Sequence, residues 1–231
     1  MNSNKKTARD ASYFQTSGAL LLALKEWVSI PEQFPYGLGA LFLNYVFYHS
    51  ELVPRWLSVW GLVGSILIIA MGLSRLFGRP QVLLAIPIVL NELVLAVWLI
   101  VIGFDSSAIT SAIVGVLIIT ALVSSMLSGQ FSKSTTDPDY LTAVSTNENK
   151  VLIGALLMVV LTASVVAIPI VMFPILKKYN ESLALMYVGA RIFEGFFDIV
   201  IAISQLLLLS LSREFVKVET PTAKTDINEI K

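Results

Sequence analysis

The stretch Ser182–Leu211, SLALMYVGARIFEGFFDIVIAISQLLLLSL, decides the fold. This apolar run of thirty residues exceeds the roughly 20 that an α-helix needs to cross a bilayer. Three charges interrupt it: Arg191, Glu194 and Asp198. Spaced three and then four residues apart, they share one face of a helix. A charge at the bilayer centre costs about 2.5–3.5 kcal/mol on insertion scales, so such residues need partners. Counting ~1.5 Å per residue from Ser182 puts Arg191 about 14 Å deep and the two acids near the middle. The stretch predicts a membrane helix that turns a charged face toward a polar interior.

The rest of the composition agrees. The chain has 231 residues, 56% hydrophobic and 14% charged, where soluble domains carry about 25% charge. The apolar runs are continuous, whereas a β-barrel would alternate at period two. Formal net charge is zero, so no nucleic-acid footprint is visible. The absence of cysteine excludes disulfides, thiolate metal sites and iron–sulfur clusters. The single histidine, His49, cannot alone build a zinc or haem site, and no cofactor is expected. Residues 1–10 are polar and basic and no cleavable signal segment directly follows them.

Outward from the decisive stretch, the sequence predicts about six spans in an all-α bundle. Residues 12–48 are broken by Lys25, Glu26, Pro31 and Pro35. They read as one bent span or as a surface helix followed by a short span. Further spans are expected at 56–77, at 81–104 with Pro87 inside, at 112–127, at 151–176 bent by Pro169, and at 182–211. Residues 130–150 form the longest polar connection. There, Asp137-Pro138 reads as the start of a short helix whose Tyr140, Leu141 and Val144 face the membrane surface. The expected organisation is a polar tail 1–10, a bundle 11–211 in two three-helix halves (11–109 and 110–211), and a polar tail 212–231 with a disordered end.

With both termini inside, about eleven basic residues lie on the cytoplasmic side and about three outside, which favours that orientation. The expected location is a bacterial cytoplasmic membrane, and the expected partners are the lipid bilayer and a small solute or proton.

A second polar feature is Asn91-Glu92, at the middle of the third span. Together Asn91, Glu92, Arg191, Glu194 and Asp198 form a candidate intramembrane binding cluster. Two readings of it stand. It binds or moves a small solute or proton, or its charges pair only to specify helix packing. Glu92 is either a second wall of the site or the partner of Arg191. Asn44 and Gln205 read as interhelical hydrogen-bond formers, His49 as interfacial, and Gly61 and Gly64 as close-packing positions. No phosphate loop, HExxH, nucleophile elbow or paired intramembrane aspartates occur, which lowers the expectation of an enzyme.

Three stretches carry a resemblance: LVPRWLSVWGLVG at 52–64, DPDYL at 137–141 and FPILKKYNESLALMYVGARIFEG at 173–195. They resemble a bacterial family of six-helix integral membrane proteins, domain of unknown function 4386. The resemblance implies a helix bundle in a membrane and carries no activity, cofactor or site with it. In the family the DPDYL and FPILKKYNESLAL segment precedes LVPRWLSVWGLVG; here the order is reversed. The chain therefore reads as circularly permuted, with joints near Arg9/Asp10, Thr110–Ala112 and Pro221/Thr222. Helix alternation then conflicts with the charge count over which side the termini occupy. The sixth span is expected to pack against the third, with Arg191 and Glu92 facing.

Overall fold

The computed structural model describes residues 2–79, 81–104, 108–131 and 139–229, with side chains for 12–79, 81–104, 109–127 and 139–217. The chain is all-α. Its helices are α1 (Asn2–Val28), α2 (Gln33–Ser50), α3 (Arg55–Leu76), α4 (Ile86–Val101), α5 (Ala108–Phe131), α6 (Tyr140–Thr146), α7 (Glu148–Leu176) and α8 (Glu181–Glu229), with one 3-10 turn at Val82–Ala85. Five segments are long and apolar enough to cross a membrane: Arg55–Leu76, Val82–Val101, Ile109–Leu127, Glu148–Leu176 and Glu181–Lys217. Large apolar side chains such as Ile66, Val97, Val116, Leu156 and Phe196 remain exposed on their outer faces. This is the inside-out pattern of a bundle solvated by lipid. The protein is a multi-pass membrane protein.

Local chemistry sets the helix ends. Pro54 stands at the N-cap of α3, and the Asn180 side chain accepts the Leu183 N–H (3.0 Å) at the start of α8. Gly78 and Gly103, both at φ +70°, reverse the chain after α3 and α4, a conformation that only glycine adopts without strain. After Gly103 the Phe104 N–H donates to Ser111 Oγ (2.7 Å), which ties the short connection to α5.

The segment expected as one bent span, or as a surface helix followed by a short span, is two helices joined by the turn 29–32. Backbone bonds run through it, from Ser29 N to Lys25 O, Glu32 N to Val28 O and Tyr36 N to Glu32 O. Pro31 and Pro35 lack N–H groups, and the Gln33 N–H bonds Ile30 O instead of Ser29 O. Arg75, at the end of α3, takes the freed group: its guanidinium donates to Ser29 O (3.0 Å) and Ser29 Oγ (2.7 Å). Both helices pack along α8 in antiparallel order. Phe14 meets Phe215, Val28 meets Ile201 and Ala202, and Gly39 lies beside Arg191.

Six helices form a ring. α2 packs on α3, α3 on α4, α4 on α5, α5 on α7, α7 on α8, and α8 back on α2. α4 and α8 therefore stand opposite one another across the ring. The expectation that they pack directly is corrected: the space between them is a cavity. Pro87 lies inside the third span, where it occupies the first turn of α4 after the 3-10 turn. Pro169 and Pro174 do lie inside α7, which continues through both.

On the side where the chain begins and ends, the helices extend past the ring. Leu141 and Val144 of α6 are buried against Val151, Leu208, Leu209 and Phe215 and so do not face a membrane surface. Tyr140 donates to Gln15 O (2.8 Å), and Ser212 and Leu141, like Arg213 and Glu148, are joined by hydrogen bonds. The helix starts at Tyr140 with Asp139 at its cap; Asp137-Pro138 lies outside the described residues. Residues expected as polar tails continue helices at both ends, from Asn2 in α1 and to Glu229 in α8. The pair Lys217–Glu214 (2.7 Å) shows why alternating charge suits a helix.

Candidate functional site

The ring encloses a cavity of about 230 Å³. Every one of its six helices contributes to the wall: Glu32, Gln33 and Tyr36 lead into α2, Met71 lies on α3, Glu92 on α4, Ser125 on α5, Val165 on α7, and Arg191 on α8. Along α2 the lining runs from Glu32 to Asn44, a height of about 18 Å. Leu43, Leu95 and Ile168 of this vestibule's lining belong to the apolar cluster that also holds Phe47, Leu57, Leu99, Val114, Met172 and Leu176.

Arg191 dominates the wall. Its Nη1 donates to both Glu194 oxygens, at 3.1 and 2.9 Å on the same helix. Its Nη2 lies 3.5 Å from Glu92 Oε1, across the cavity on α4. The guanidinium carbon stands 5.2 Å from the Tyr36 ring centre and 5.7 Å from that of Tyr187. Charge, hydrogen bonds and two aromatic faces converge on one buried cation. The expected pairing of Glu92 with Arg191 is present, and it spans the ring where no direct helix packing exists.

Asp198 is different. It is 2% exposed and lines the cavity, yet its Oδ2 has no hydrogen-bond partner among the described residues. No ion pair joins it to a base, because Glu194, one turn closer, occupies Arg191. Burying a carboxylate without partners is costly, so this atom is the unexplained group of the site.

Asn91 lines the same cavity, with its amide turned to another helix. Its Nδ2 donates to Leu57 O (2.9 Å), which pins α4 to α3. Asn44, expected to bond across helices, donates to Ala40 O of its own helix (2.8 Å). Its amide fills the space left by Gly61, where a Cβ would come within 2.1 Å of Asn44 Oδ1. His49 packs beside the rings of Tyr45 and Tyr48 away from the cavity. The residues that sequence reasoning missed are Tyr36, Tyr187, Glu32 and Gln33. Tyr187 lies one helical turn before Arg191, a signal that could have found it. The other three reach the site only through the fold of α2 against α8. Among the described residues no group of acids and histidines is arranged to hold a metal ion.

No curated protein and no solved structure matches the chain. A family profile described as "Domain of unknown function (DUF4386)" does, over residues 2–103 and 113–230. The two matched stretches meet at the α4–α5 connection and between them take in all six helices of the ring. The chain belongs to the DUF4386 family of domains of unknown function.

Proposed function

We propose that the protein binds a small solute or proton in the vestibule and that Asn91, Glu92, Arg191, Glu194 and Asp198 are its polar core. Within it Arg191, Glu194, Glu92 and Asp198 face the bound species, and Asn91 holds α4 in register. The observation that carries this reading is the Asp198 Oδ2, buried and unpartnered among the described residues, on the wall of a cavity. A packing cluster has no need of a buried acid without a base. The competing reading, that the charges only specify packing, draws its support from Arg191, whose paired carboxylates bridge α8 and α4.

In this reading the bent rod α1–α2 supplies the sixth crossing through α2, and the protein sits in a bacterial cytoplasmic membrane. The halves 11–109 and 110–211 are units whose order is swapped relative to the family. The gap between the matched stretches, at 104–112, supports a joint there. The contact of Phe14 with Phe215 supports it as well, since it brings the two chain ends side by side where the family order would join them.

Asp198→Asn tests the site. The amide keeps the shape and removes the uncompensated charge. A binding acid kept at the expense of stability predicts that the variant melts about 2–4 °C higher in detergent, the equivalent of ~1 kcal/mol in a chain of this size. A lower melting temperature would place Asp198 among the groups that hold the bundle together and would contradict the proposal.

A further inference from the structure

We infer that the vestibule takes a small organic ammonium ion carrying a single positive charge; this rests on the binding role given above to the same cavity. The argument begins with charge. Four acids line the space, Glu32, Glu92, Glu194 and Asp198, against one base, Arg191. Arg191 is already shared between Glu194 and Glu92. Asp198 is left over, and Glu32 has the field of Arg75, outside the lining, to offset it, so the lining itself carries more acids than bases. An anionic ligand would meet that surplus with only the Arg191 Nε–H left to receive it, the rest of that guanidinium being engaged by Glu194 and Glu92.

Hydrogen-bonding capacity points the same way. Among the described residues four buried polar atoms of the lining have no partner: Asp198 Oδ2 and Gln33 Oε1, which accept, Arg191 Nε, which donates, and the Tyr187 hydroxyl, which can do either. The one charged acceptor among them is a carboxylate, and an ammonium group brings it N–H donors together with a compensating charge. A bare metal ion fits less well, since hard cations need six or more oxygen ligands and the described residues offer no metal-holding group of acids.

The remaining wall explains why the cation is organic. Beside the acids the lining also holds Ile118 and Leu122 of α5 and Leu161 and Val165 of α7. Apolar walls with a few placed polar groups are the usual make-up of a small-molecule site. An ammonium at Asp198 and Gln33 directs its carbon body toward α5 and α7, in a volume of about 230 Å³.

The test uses the full chain in lipid nanodiscs and three probes of equal chain length: hexylammonium, hexanol and hexanoate. Hexylammonium is expected to raise the melting temperature in a saturable manner, with hexanol and hexanoate giving no saturable shift. Asp198→Asn is expected to weaken the ammonium effect at least tenfold, and Gln33→Leu to weaken it by a smaller factor. Hexanol or hexanoate stabilising the protein as well as hexylammonium would overturn the ammonium assignment while leaving a solute site in place. An ammonium shift unchanged by both substitutions would overturn it by locating the binding elsewhere. If hexylammonium gives no shift, the assignment falls. Labelling of Leu122→Cys by a thiol reagent then shows whether the vestibule survives as a binding space.

Discussion

Replacing Arg191 with leucine removes the one base of the vestibule, and the structure lets the consequence be sized. Two carboxylates lose their partner: Glu194, held at 2.9 and 3.1 Å, and Glu92, at 3.5 Å from the opposite side of the ring. Tyr36 and Tyr187 lose the cation between them. Removing one partner of a buried pair typically costs about 3–5 kcal/mol, because the other charge stays buried and uncompensated. At roughly 2–4 °C per kcal/mol for 150–250 residues, the melting temperature should fall by about 6–20 °C. Glu194→Gln is milder. The amide still accepts a hydrogen bond and Glu92 still balances Arg191, so the loss should be about 1–3 kcal/mol. The combination Arg191→Leu with Glu92→Gln and Glu194→Gln should recover most of what the single change loses. Thermal denaturation of the detergent-purified protein reads all three. The reasoning fails if Arg191→Leu is as stable as Glu194→Gln, or if the triple variant is no more stable than the single one.

Gly61→Ala should cost about 1–3 kcal/mol by overpacking, since the new methyl meets an Asn44 amide that is fixed to Ala40 O. Gly189→Ala, with open space at its Cβ position, should be neutral or slightly stabilising; comparing the two melting temperatures checks both. A chain rebuilt in the family order should keep the Glu92–Arg191 bridge, because α8 and α2 are already neighbours in the ring. Equal crosslinking of cysteine pairs on the two sides of the bridge, in both chain orders, is the expected result; crosslinking in one order only would show that the halves are not independent units.

The charged face of α8 was legible because helical spacing is a local property. Arg191, Glu194 and Asp198 lie together as their intervals of three and four require, and the pairing of Arg191 with Glu92 followed from burial alone. The path of that pairing was not legible. A sequence does not show which helices are neighbours, and a guanidinium reaching across a cavity looks the same as one reaching across a packed interface. The role of Asn91 was not legible for a related reason: an amide in a span can serve a ligand or a carbonyl, and Leu57 O, which it bonds, lies on another helix. In α6 the apolar residues Leu141 and Val144 were expected to face the membrane surface, because the sequence does not distinguish a lipid surface from the flank of α8. The prolines gave the position of the α1–α2 turn. They gave no sign that both helices continue along the same partner, with Arg75 capping the break.

The proposed binding role needs a vestibule open to one side and sealed at the other, and cysteine accessibility tests that most directly. The chain has no cysteine of its own, so single introduced thiols report without background. Leu122→Cys and Ser125→Cys sit on the cavity wall, and Leu99→Cys sits in the apolar layer that seals it. A membrane-impermeant cationic thiol reagent should modify the first two from the side of the chain termini and not from the other, and should leave the third untouched from both. Modification of Leu99→Cys, or of the cavity positions from the opposite side, would contradict the account.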